Sequence, residues 1–168
     1  MTKEIPLTQG KVALVDDEDY EKIISMGNWL FISNRKGSGY AAKNRCRQDK
    51  RIGLPSVILM HREIVNAPIG VEVDHKDRDK LNNTKNNLRL ATSSQQKQNM
   101  GIRRDNTSGY RGVYWDCSRN KWGVDIILEN KKIHIGRFDD KNDAALAYNK
   151  KAIELFGEYA FLNELSED

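Results

Sequence analysis

The sequence predicts a mixed α+β protein made of several small units. Short apolar segments of four to seven residues alternate with polar segments that contain glycine, which is typical of short strands joined by turns. No long apolar series runs through the 168 residues, of which 38% are hydrophobic and 31% are charged. A helix-type pattern with an alanine-rich face is found near the C-terminus. We therefore expect several small cores instead of one large core.

Residues 1–56 are predicted to be a β-rich region. Asp16 or Asp17 is a suitable N-cap for a helix, and Gly27 ends it. A glycine-containing turn at 35–39 separates the last two strands of the region. The predicted elements are a strand at 11–15, a helix at 16–26 and strands at 29–32 and 40–43.

Residues 57–100 are predicted to be a strand–strand–helix unit. The segment 57–67 is a short amphipathic helix or turn, which Pro68 and Gly70 stop. An extended segment, 71–75, ends in Asp74 and His75, and a polar loop rich in Asn and Asp leads to a second strand at 88–91. The sequence TSSQ has capping-box spacing and begins a polar helix. A carboxylate, an imidazole and amide oxygens are therefore expected to converge, enough for one divalent cation and one general base.

Residues 101–109 are a basic linker bounded by glycines, and residues 110–168 are a second compact unit. In the C-terminal unit, Gly157 ends the alanine-rich helix. The unit is predicted to be a three-stranded antiparallel sheet packed on one helix. Its predicted elements are strands at 110–114, 122–128 and 132–135 and a helix at 140–156.

The charge of the chain is unevenly distributed. The net charge is +4, but residues 34–104 contain 16 Lys and Arg against 6 Asp and Glu, a net charge of +10. Residues 105–168 contain 9 against 12, a net charge of −3. The middle of the chain therefore carries the basic field that is expected to meet a polyanion.

Cysteine usage and hydropathy indicate a cytoplasmic protein. Cys46 and Cys117 are far apart and form no C-x-x-C pair, so we expect reduced thiols and neither a zinc site nor a disulfide framework. No apolar run approaches about 20 residues, so no transmembrane helix is expected. The first ten residues, MTKEIPLTQG, lack the apolar core of a signal peptide.

The blocks MHREIV, VDHKDRD, NNLRLAT and QQKQN resemble the HNH endonuclease family of phage and intron-encoded homing enzymes, over about 45 residues. The resemblance implies that His75 is the general base, which deprotonates the attacking water. It implies that Asp74 binds Mg²⁺, with Mn²⁺ as the alternative, at the scissile phosphate. It also implies that Asn87 ties down the loop and holds His75 in the correct tautomer and orientation.

The remaining metal ligand is less clearly defined by this resemblance. Gln96 falls where the family has His or Asn, and Asn99 lies one helical turn further on. Either amide, or a water molecule, completes the metal site. His61 is interpreted as a packing or phosphate-contacting residue and not as a second base.

Basic residues around this unit are candidates for phosphate contacts. Arg62 and Arg89 are interpreted as phosphate clamps, with solvated surface charge as the alternative. A solvated hairpin tip is the alternative for the basic segment 43–51. The remaining candidates are Arg45 and Arg47 in that segment and Arg103 and Arg104 in the linker. Beside a nuclease unit, the β-rich region 1–56 is therefore expected to contact DNA. The linker is equally well interpreted as a passive tether or as a segment that follows a DNA groove.

The blocks SGYRGVYWD, KWGVDI, IHIGRFDDKNDAALAYNKKA and GEYAFLN are similar to the plant Apetala/ethylene-response-factor (AP2/ERF) DNA-binding domain, over about 55 residues. The resemblance implies a sheet that lies in the major groove of DNA and reads bases with its exposed face. Alternation supports such a face, because the side chains of 124, 126, 133 and 135 point the other way. Tyr114, Asp116 and Ile127 replace arginines of the plant domain, so its target sequence is not transferred. The face is expected to hold Arg111, Tyr114, Asp125, Ile127, Lys132 and His134.

Together these features predict a site-specific, homing-type DNA endonuclease that acts on double-stranded DNA with one metal ion. The resemblance to phage enzymes implies that it acts in the cytoplasm of a bacterial or phage-infected cell. A monomer would nick one strand, and a dimer could cut both. The alternative is a non-catalytic DNA-binding regulator with a degenerate HNH unit, which Gln96 keeps open. A nuclease that acts on RNA is the third class, and the resemblance of the sheet to a reader of duplex DNA argues against it.

Overall fold

The computed structural model describes residues 1–33, 37–45 and 55–165. The fold is mixed α+β, as predicted, and the chain divides into two compact units, residues 1–92 and 93–168. The positions of Cys46 and Arg47, and part of the predicted turn at 35–39, lie outside the described residues. Across the described ranges, no helix is long and apolar enough to cross a membrane.

Over its described residues, the first unit contains small antiparallel sheets and the helices α1 and α2. Strands β1 (Thr2–Pro6) and β2 (Val12–Asp16) form a hairpin, and α1 (Asp17–Ser25) follows directly. Strands β3 (Leu30–Ser33), β4 (Gly39–Asn44) and β5 (Val57–Leu59) form a sheet in the order β3-β4-β5, and α2 (Met60–Ile64) leads out of it. Strands β6 (Glu72–His75) and β7 (Leu88–Ala91) form a second hairpin. The sequence analysis missed β1, and it missed the strand that begins the segment 57–67.

One hydrophobic core joins the N-terminal region to the β6–β7 hairpin. Val73 and Leu88, one from each strand of that hairpin, are buried with residues from β1 to α2. Residues from both sides of residue 56 therefore share this core. The core consists of Ile5, Leu7, Ala13, Val15, Ile23, Trp29, Phe31, Ala41, Met60, Ile64, Val73 and Leu88.

The loop at 76–87 is hydrogen-bonded to strand β2 of the N-terminal hairpin. The Leu14 N–H donates to the Leu81 carbonyl at 2.8 Å, and the Leu14 carbonyl accepts from the Asn83 N–H at 2.8 Å. The backbone N–H of Lys85 donates to an Asp16 carboxylate oxygen at 2.7 Å. Strand β2 thus supports the loop between β6 and β7, so the N-terminal region has a scaffolding role that its sequence did not indicate.

The second unit contains α3 (Ser93–Gln98), a three-stranded antiparallel sheet and a long helix. The sheet has the order β10-β9-β8, with β8 at Val113–Asp116, β9 at Lys121–Leu128 and β10 at Lys131–Phe138. Helix α4 (Lys141–Phe156) begins at Asp140, whose side chain accepts from the N–H groups of Asn142 and Asp143 at 2.7 and 2.9 Å. Helix α4 packs on the sheet through a core of Tyr110, Val113, Val124, Ile126, Ala144, Ala145, Tyr148, Ala152 and Phe156.

Strand β8 begins later than predicted because a turn precedes it. Gly112 has φ +76°, and a Cβ atom there would lie 2.3 Å from the Tyr148 ring. Only glycine adopts this backbone conformation without strain and allows the ring to approach so closely. The residues before Val113 therefore form a turn instead of the predicted start of a strand.

Candidate active site

The β6–β7 hairpin places Asp74 and His75 at the end of one strand. His75 pairs with Leu88, and Asp74 pairs with Arg89 across the hairpin. Both side chains are polar and both residues are buried, at 6% and 5% exposure. Buried polar groups need partners, so the contacts of these two residues define what the site can do.

His75 is held by Asn83, a residue of the loop. The Nε2 atom of His75 lies 3.3 Å from the Oδ1 atom of Asn83, and Asn83 is only 1% exposed. The Asn83 amide nitrogen donates to the Leu81 carbonyl at 3.1 Å, which turns the amide oxygen toward the imidazole. Because an amide oxygen only accepts, Nε2 carries the proton and Nδ1 is the basic nitrogen of the neutral ring. Burial lowers the pKa of His75, which favours this neutral form.

Asn87 contacts the loop and not the imidazole. Its amide nitrogen donates to Asp77 Oδ1 and to the Asn82 carbonyl, both at 2.8 Å, and its amide oxygen accepts from the Asp77 N–H at 3.0 Å. The two bonds to Asp77 join the ends of the loop at 76–87, and the third ties Asn87 to the middle of the loop. The contact to His75 that the sequence analysis assigned to Asn87 is therefore made by Asn83, because Asn87 is fully engaged by the loop backbone and Asp77.

A second histidine lies against the first. The rings of His61 and His75 have centroids 5.1 Å apart in an edge-on arrangement, and the Tyr40 ring lies 5.1 Å from His61. Burial, followed by the neighbouring His75, lowers the pKa of His61 to about 3. Within the described ranges, nothing hydrogen-bonds to His61 Nδ1. The ammonium of Lys80 lies over Tyr40, 4.4 Å from the ring centroid, and brings positive charge to this cluster.

Asp74 forms a buried ion pair with Arg89. Oδ2 of Asp74 accepts from Nη2 and Nε of Arg89 at 2.7 and 3.0 Å, and the two side chains are 8% and 9% exposed. A carboxylate is a suitable ligand for a hard cation, but this oxygen already has a cationic partner. In the parts of the chain that the structure describes, no group of three or more His, Cys, Asp or Glu residues forms a metal site. Amide, water and phosphate oxygens are suitable further ligands for a hard cation at Asp74.

The other predicted site residues of this region have varied surroundings. The guanidinium of Arg62 donates to the carbonyls of Val71, Pro68 and Ala67, so it holds the loop before β6. Arg45 Nε donates to the Pro55 carbonyl at 3.2 Å. Arg103 is exposed and pairs with Asp105, and Arg104 is exposed. Gln96 and Asn99 belong to the second unit, where Gln96 is in α3 and Asn99 is buried just after it.

One face of the C-terminal sheet carries a cluster centred on Asp125. Its carboxylate contacts Lys132 Nζ at 2.6 Å and His134 Nδ1 at 2.8 Å. Burial would raise the pKa of Asp125, but its hydrogen bonds to Lys132, His134 and Tyr114 outweigh burial and keep the pKa below its ordinary value. Lys132, His134 and Tyr114, which are all expected on this face, therefore contact Asp125. Ile127, also expected on this face, is 65% exposed.

Arg111 contacts the end of α3. Its guanidinium donates to the carbonyls of Gln98 and Lys97, at 2.6 and 3.1 Å, and to that of Met100. Carbonyls at a helix C-terminus lack partners within the helix, so a guanidinium there stabilises the end of α3. A contact from Arg111 to DNA stays a prediction.

The sequence analysis missed three residues of the histidine cluster region: Asn83, Tyr40 and Lys80. Asn83 stands in a loop with five asparagines and aspartates around it, so no pattern distinguished it from the turn residues. Tyr40 and Lys80 are brought to the histidines by the pairing of β4 with β5 and by the fold of the loop. Identifying them from the sequence would have required knowing that these two segments lie against the histidines in the fold.

A known protein family matches the segment that contains the β6–β7 hairpin. The family model described as HNH endonuclease matches residues 66–98, which include β6, the loop and β7. An uncharacterized HNH endonuclease of Acanthamoeba polyphaga mimivirus is 37% identical over 148 residues, covering 84% of this chain and 74% of the relative. Protein 3.8 of Escherichia phage T7 is 34% identical over 100 residues, covering 58% of this chain and 82% of the relative. No solved structure matches the chain significantly. None of these matches supports the resemblance of residues 110–163 to the plant domain.

Proposed function

Because the chain belongs to the HNH endonuclease family, we propose that it is a site-specific, homing-type nuclease that hydrolyses phosphodiester bonds of double-stranded DNA. The observation that carries the proposal is the neutral, buried imidazole of His75 beside the carboxylate of Asp74, within the segment that matches the family. The relatives in a virus and a phage fit action in the cytoplasm of an infected cell.

His75 is the proposed general base. Asn83 accepts the Nε2 proton, so Nδ1 is the atom that takes a proton from the attacking water. The edge of His61 and the Asn83 amide restrict rotation of the ring, which keeps Nδ1 in one direction. Cleavage of the bond to the 3′ oxygen would leave 5′-phosphate and 3′-hydroxyl ends.

Asp74 is the proposed ligand of a divalent cation, Mg²⁺ or Mn²⁺. The oxygen chemistry of a carboxylate fits such a cation, which when bound polarises the scissile phosphate and neutralises the leaving oxygen. Arg89 holds the carboxylate in a fixed orientation and would share it with the cation. Gln96 and Asn99 stay the sequence-based candidates for further ligands.

The DNA contacts are proposed on the exposed sheet face of the second unit. Lys132 and His134 supply hydrogen-bond donors, and Asp125 orients both. This face would read bases in the major groove, as the similarity to the plant domain suggests. A monomer with one active site would nick one strand of the duplex, and two copies could cut both.

A supercoiled-plasmid assay tests the proposed activity. With Mg²⁺ or Mn²⁺, the protein is expected to convert plasmid that carries its site into nicked or linear DNA. EDTA and the His75→Ala substitution should each abolish the conversion, whereas Lys150→Gln, an exposed change on α4, should not. Nicking by the His75→Ala protein at the wild-type rate would refute the role of the imidazole.

The second candidate function is a DNA-binding regulator without catalysis. The buried Asp74–Arg89 ion pair favours it, because the pair neutralises the carboxylate without any metal ion. Duplex binding in a gel-shift assay, together with intact plasmid in both metals, would support the regulator. Metal-dependent nicking that His75→Ala removes would exclude it.

A further inference from the structure

Strand β10 contains an irregularity that changes which side chains share a face. His134 pairs with Asp125, Gly136 pairs with Val124, and Arg137 pairs with Gly123, so one extra residue is inserted between the first two pairs. Simple alternation would place residues 134 and 137 on opposite faces. The bulge instead brings Arg137 to the face that holds His134. Alternation in the sequence therefore could not identify Arg137.

Arg137 is anchored by Asp116 from the opposite edge strand. Its Nε atom donates to Asp116 Oδ2 at 3.0 Å, and the Asp116 side chain is only 13% exposed. Ser118 donates to the other oxygen, Oδ1, through its N–H at 3.1 Å and its hydroxyl at 2.6 Å. Bonds from Ser118 and Arg137 hold the pKa of Asp116 well below its ordinary value, so the carboxylate stays charged.

Arg137 contacts this anchor through Nε, and its two terminal nitrogens take no part in that bond to Asp116. Among the described residues, none hydrogen-bonds to Nη1 or Nη2 of Arg137. The side chain is 34% exposed, and its cross-strand neighbour is Gly123, which has no side chain to cover it. The Tyr114 ring lies against Gly123, since a Cβ there would be 2.5 Å from Tyr114 Cζ. The guanidinium is thus bonded to Asp116 through Nε, and about a third of the side chain is accessible to solvent.

We propose that Arg137 is a specificity-determining residue that donates two hydrogen bonds to O6 and N7 of one guanine in the major groove, with Asp116 as the positioning residue. The proposal rests on the proposed DNA-reading function of the sheet. A guanidinium with two parallel donors matches the two acceptors on the guanine edge, and no other base offers that pair. Arg119, which also contacts Asp116 at 3.2 Å, is 58% exposed and lies in the turn after β8, so it is better placed for phosphate.

Selection from a randomised duplex library tests this proposal. The full chain with His75→Ala is used as the parent, so that bound DNA stays intact, and bound sequences are compared among variants. The parent should select a motif with one guanine whose preference over the other bases falls about tenfold or more in Arg137→Gln. Preferences at the other positions should be kept. Arg137→Lys should also lose the guanine preference, because an ammonium lacks the paired donors.

Asp116→Asn and Lys150→Gln separate positioning from general charge effects. Asp116→Asn should weaken the preference for the same guanine and for no other base, whereas Lys150→Gln should leave the whole motif unchanged. Thermal melting of each variant identifies any loss of folding, and Arg137→Lys keeps the charge if Arg137→Gln unfolds.

Two results would overturn the proposal. If Arg137→Gln lowers affinity for all sequences equally and reduces the salt slope by about one, Arg137 contacts phosphate and not a base. If Arg137→Lys keeps the full guanine preference, the paired-donor geometry is wrong. A parent that selects no motif, while the wild-type protein still nicks plasmid, would refute DNA reading by the sheet and leave the nuclease proposal standing.

Discussion

The Nε2 atom of His75 lies 3.3 Å from the Oδ1 atom of Asn83, and this contact defines which imidazole nitrogen is basic. The backbone N–H of Asn83 donates to the Leu14 carbonyl, so the position of Asn83 depends on the N-terminal hairpin. A residue 69 positions before Asn83 therefore helps to orient the proposed base.

Replacing Asn83 should reduce catalysis more than DNA binding. Asn83→Leu removes the acceptor for Nε2 while keeping a similar volume, so we expect kcat to fall roughly 10- to 100-fold with KM changed by less than about threefold. Nicking rates on supercoiled plasmid measure both constants. The matched control is Asn86→Leu at an exposed position of the same loop. An equal loss of activity in both variants would contradict a specific role for Asn83.

Replacing Asn87 should loosen the loop at 76–87. Asn87→Ala removes three hydrogen bonds within the loop, two of which join its ends, each worth about 1 kcal/mol. We expect the free energy of unfolding to fall by about 1–3 kcal/mol in urea. Amide hydrogen exchange in the loop should become faster. Unchanged exchange there would show that the loop is held by other contacts.

Replacing Arg89 should destabilise the first unit strongly. Arg89→Met leaves the Asp74 carboxylate buried without its cationic partner, which typically costs about 3–5 kcal/mol. Urea unfolding of Arg89→Met, Asp74→Asn and the double variant forms a double-mutant cycle. The double variant should be more stable than Arg89→Met alone. Additive losses across the cycle would mean that the two side chains do not stabilise each other.

A divalent cation should change the melting temperatures of wild type, Arg89→Met and Asp74→Asn by different amounts. If Asp74 binds Mg²⁺ or Mn²⁺, the cation should raise the melting temperature of Arg89→Met more than that of wild type, because it replaces the lost positive charge. Asp74→Asn should remove the effect. Equal shifts in all three proteins would indicate that the cation binds elsewhere.

Acidification should destabilise the first unit through His61. The pKa of His61 is lowered from 6.5 to about 3 in the folded protein, so above pH 6.5 the ring is neutral in both states and pH has no effect through it. Below pH 6.5 the unfolded chain takes up a proton that the folded protein does not, so stability falls as pH decreases toward 3. At pH 5.5 the loss is about 1.4 kcal/mol.

His61→Phe isolates this contribution, because phenylalanine keeps the aromatic packing with Tyr40 but does not titrate. Between pH 7 and pH 5, the wild-type protein should lose stability relative to His61→Phe, with urea unfolding as the measurement. Parallel pH profiles would show that His61 is not buried in its neutral form.

The sequence by itself determined the α+β class, the alanine-rich helix and the position of the Asp74–His75 pair at the end of a strand. These features are local, since strand length, capping residues and glycine turns depend on neighbouring residues. The residues of the HNH motif were also visible as a pattern of spacing. Strand β1 was missed because Lys3 and Glu4 interrupt its apolar residues.

The tertiary structure alone decided which side chains meet. Asn83 instead of Asn87 contacts His75, and Arg89 neutralises Asp74, because strand register and loop path bring them together. Arg137 reaches the exposed sheet face only through a bulge in β10. Such contacts join residues distant in sequence and depend on register, which a one-residue shift reverses, so local patterns do not encode them.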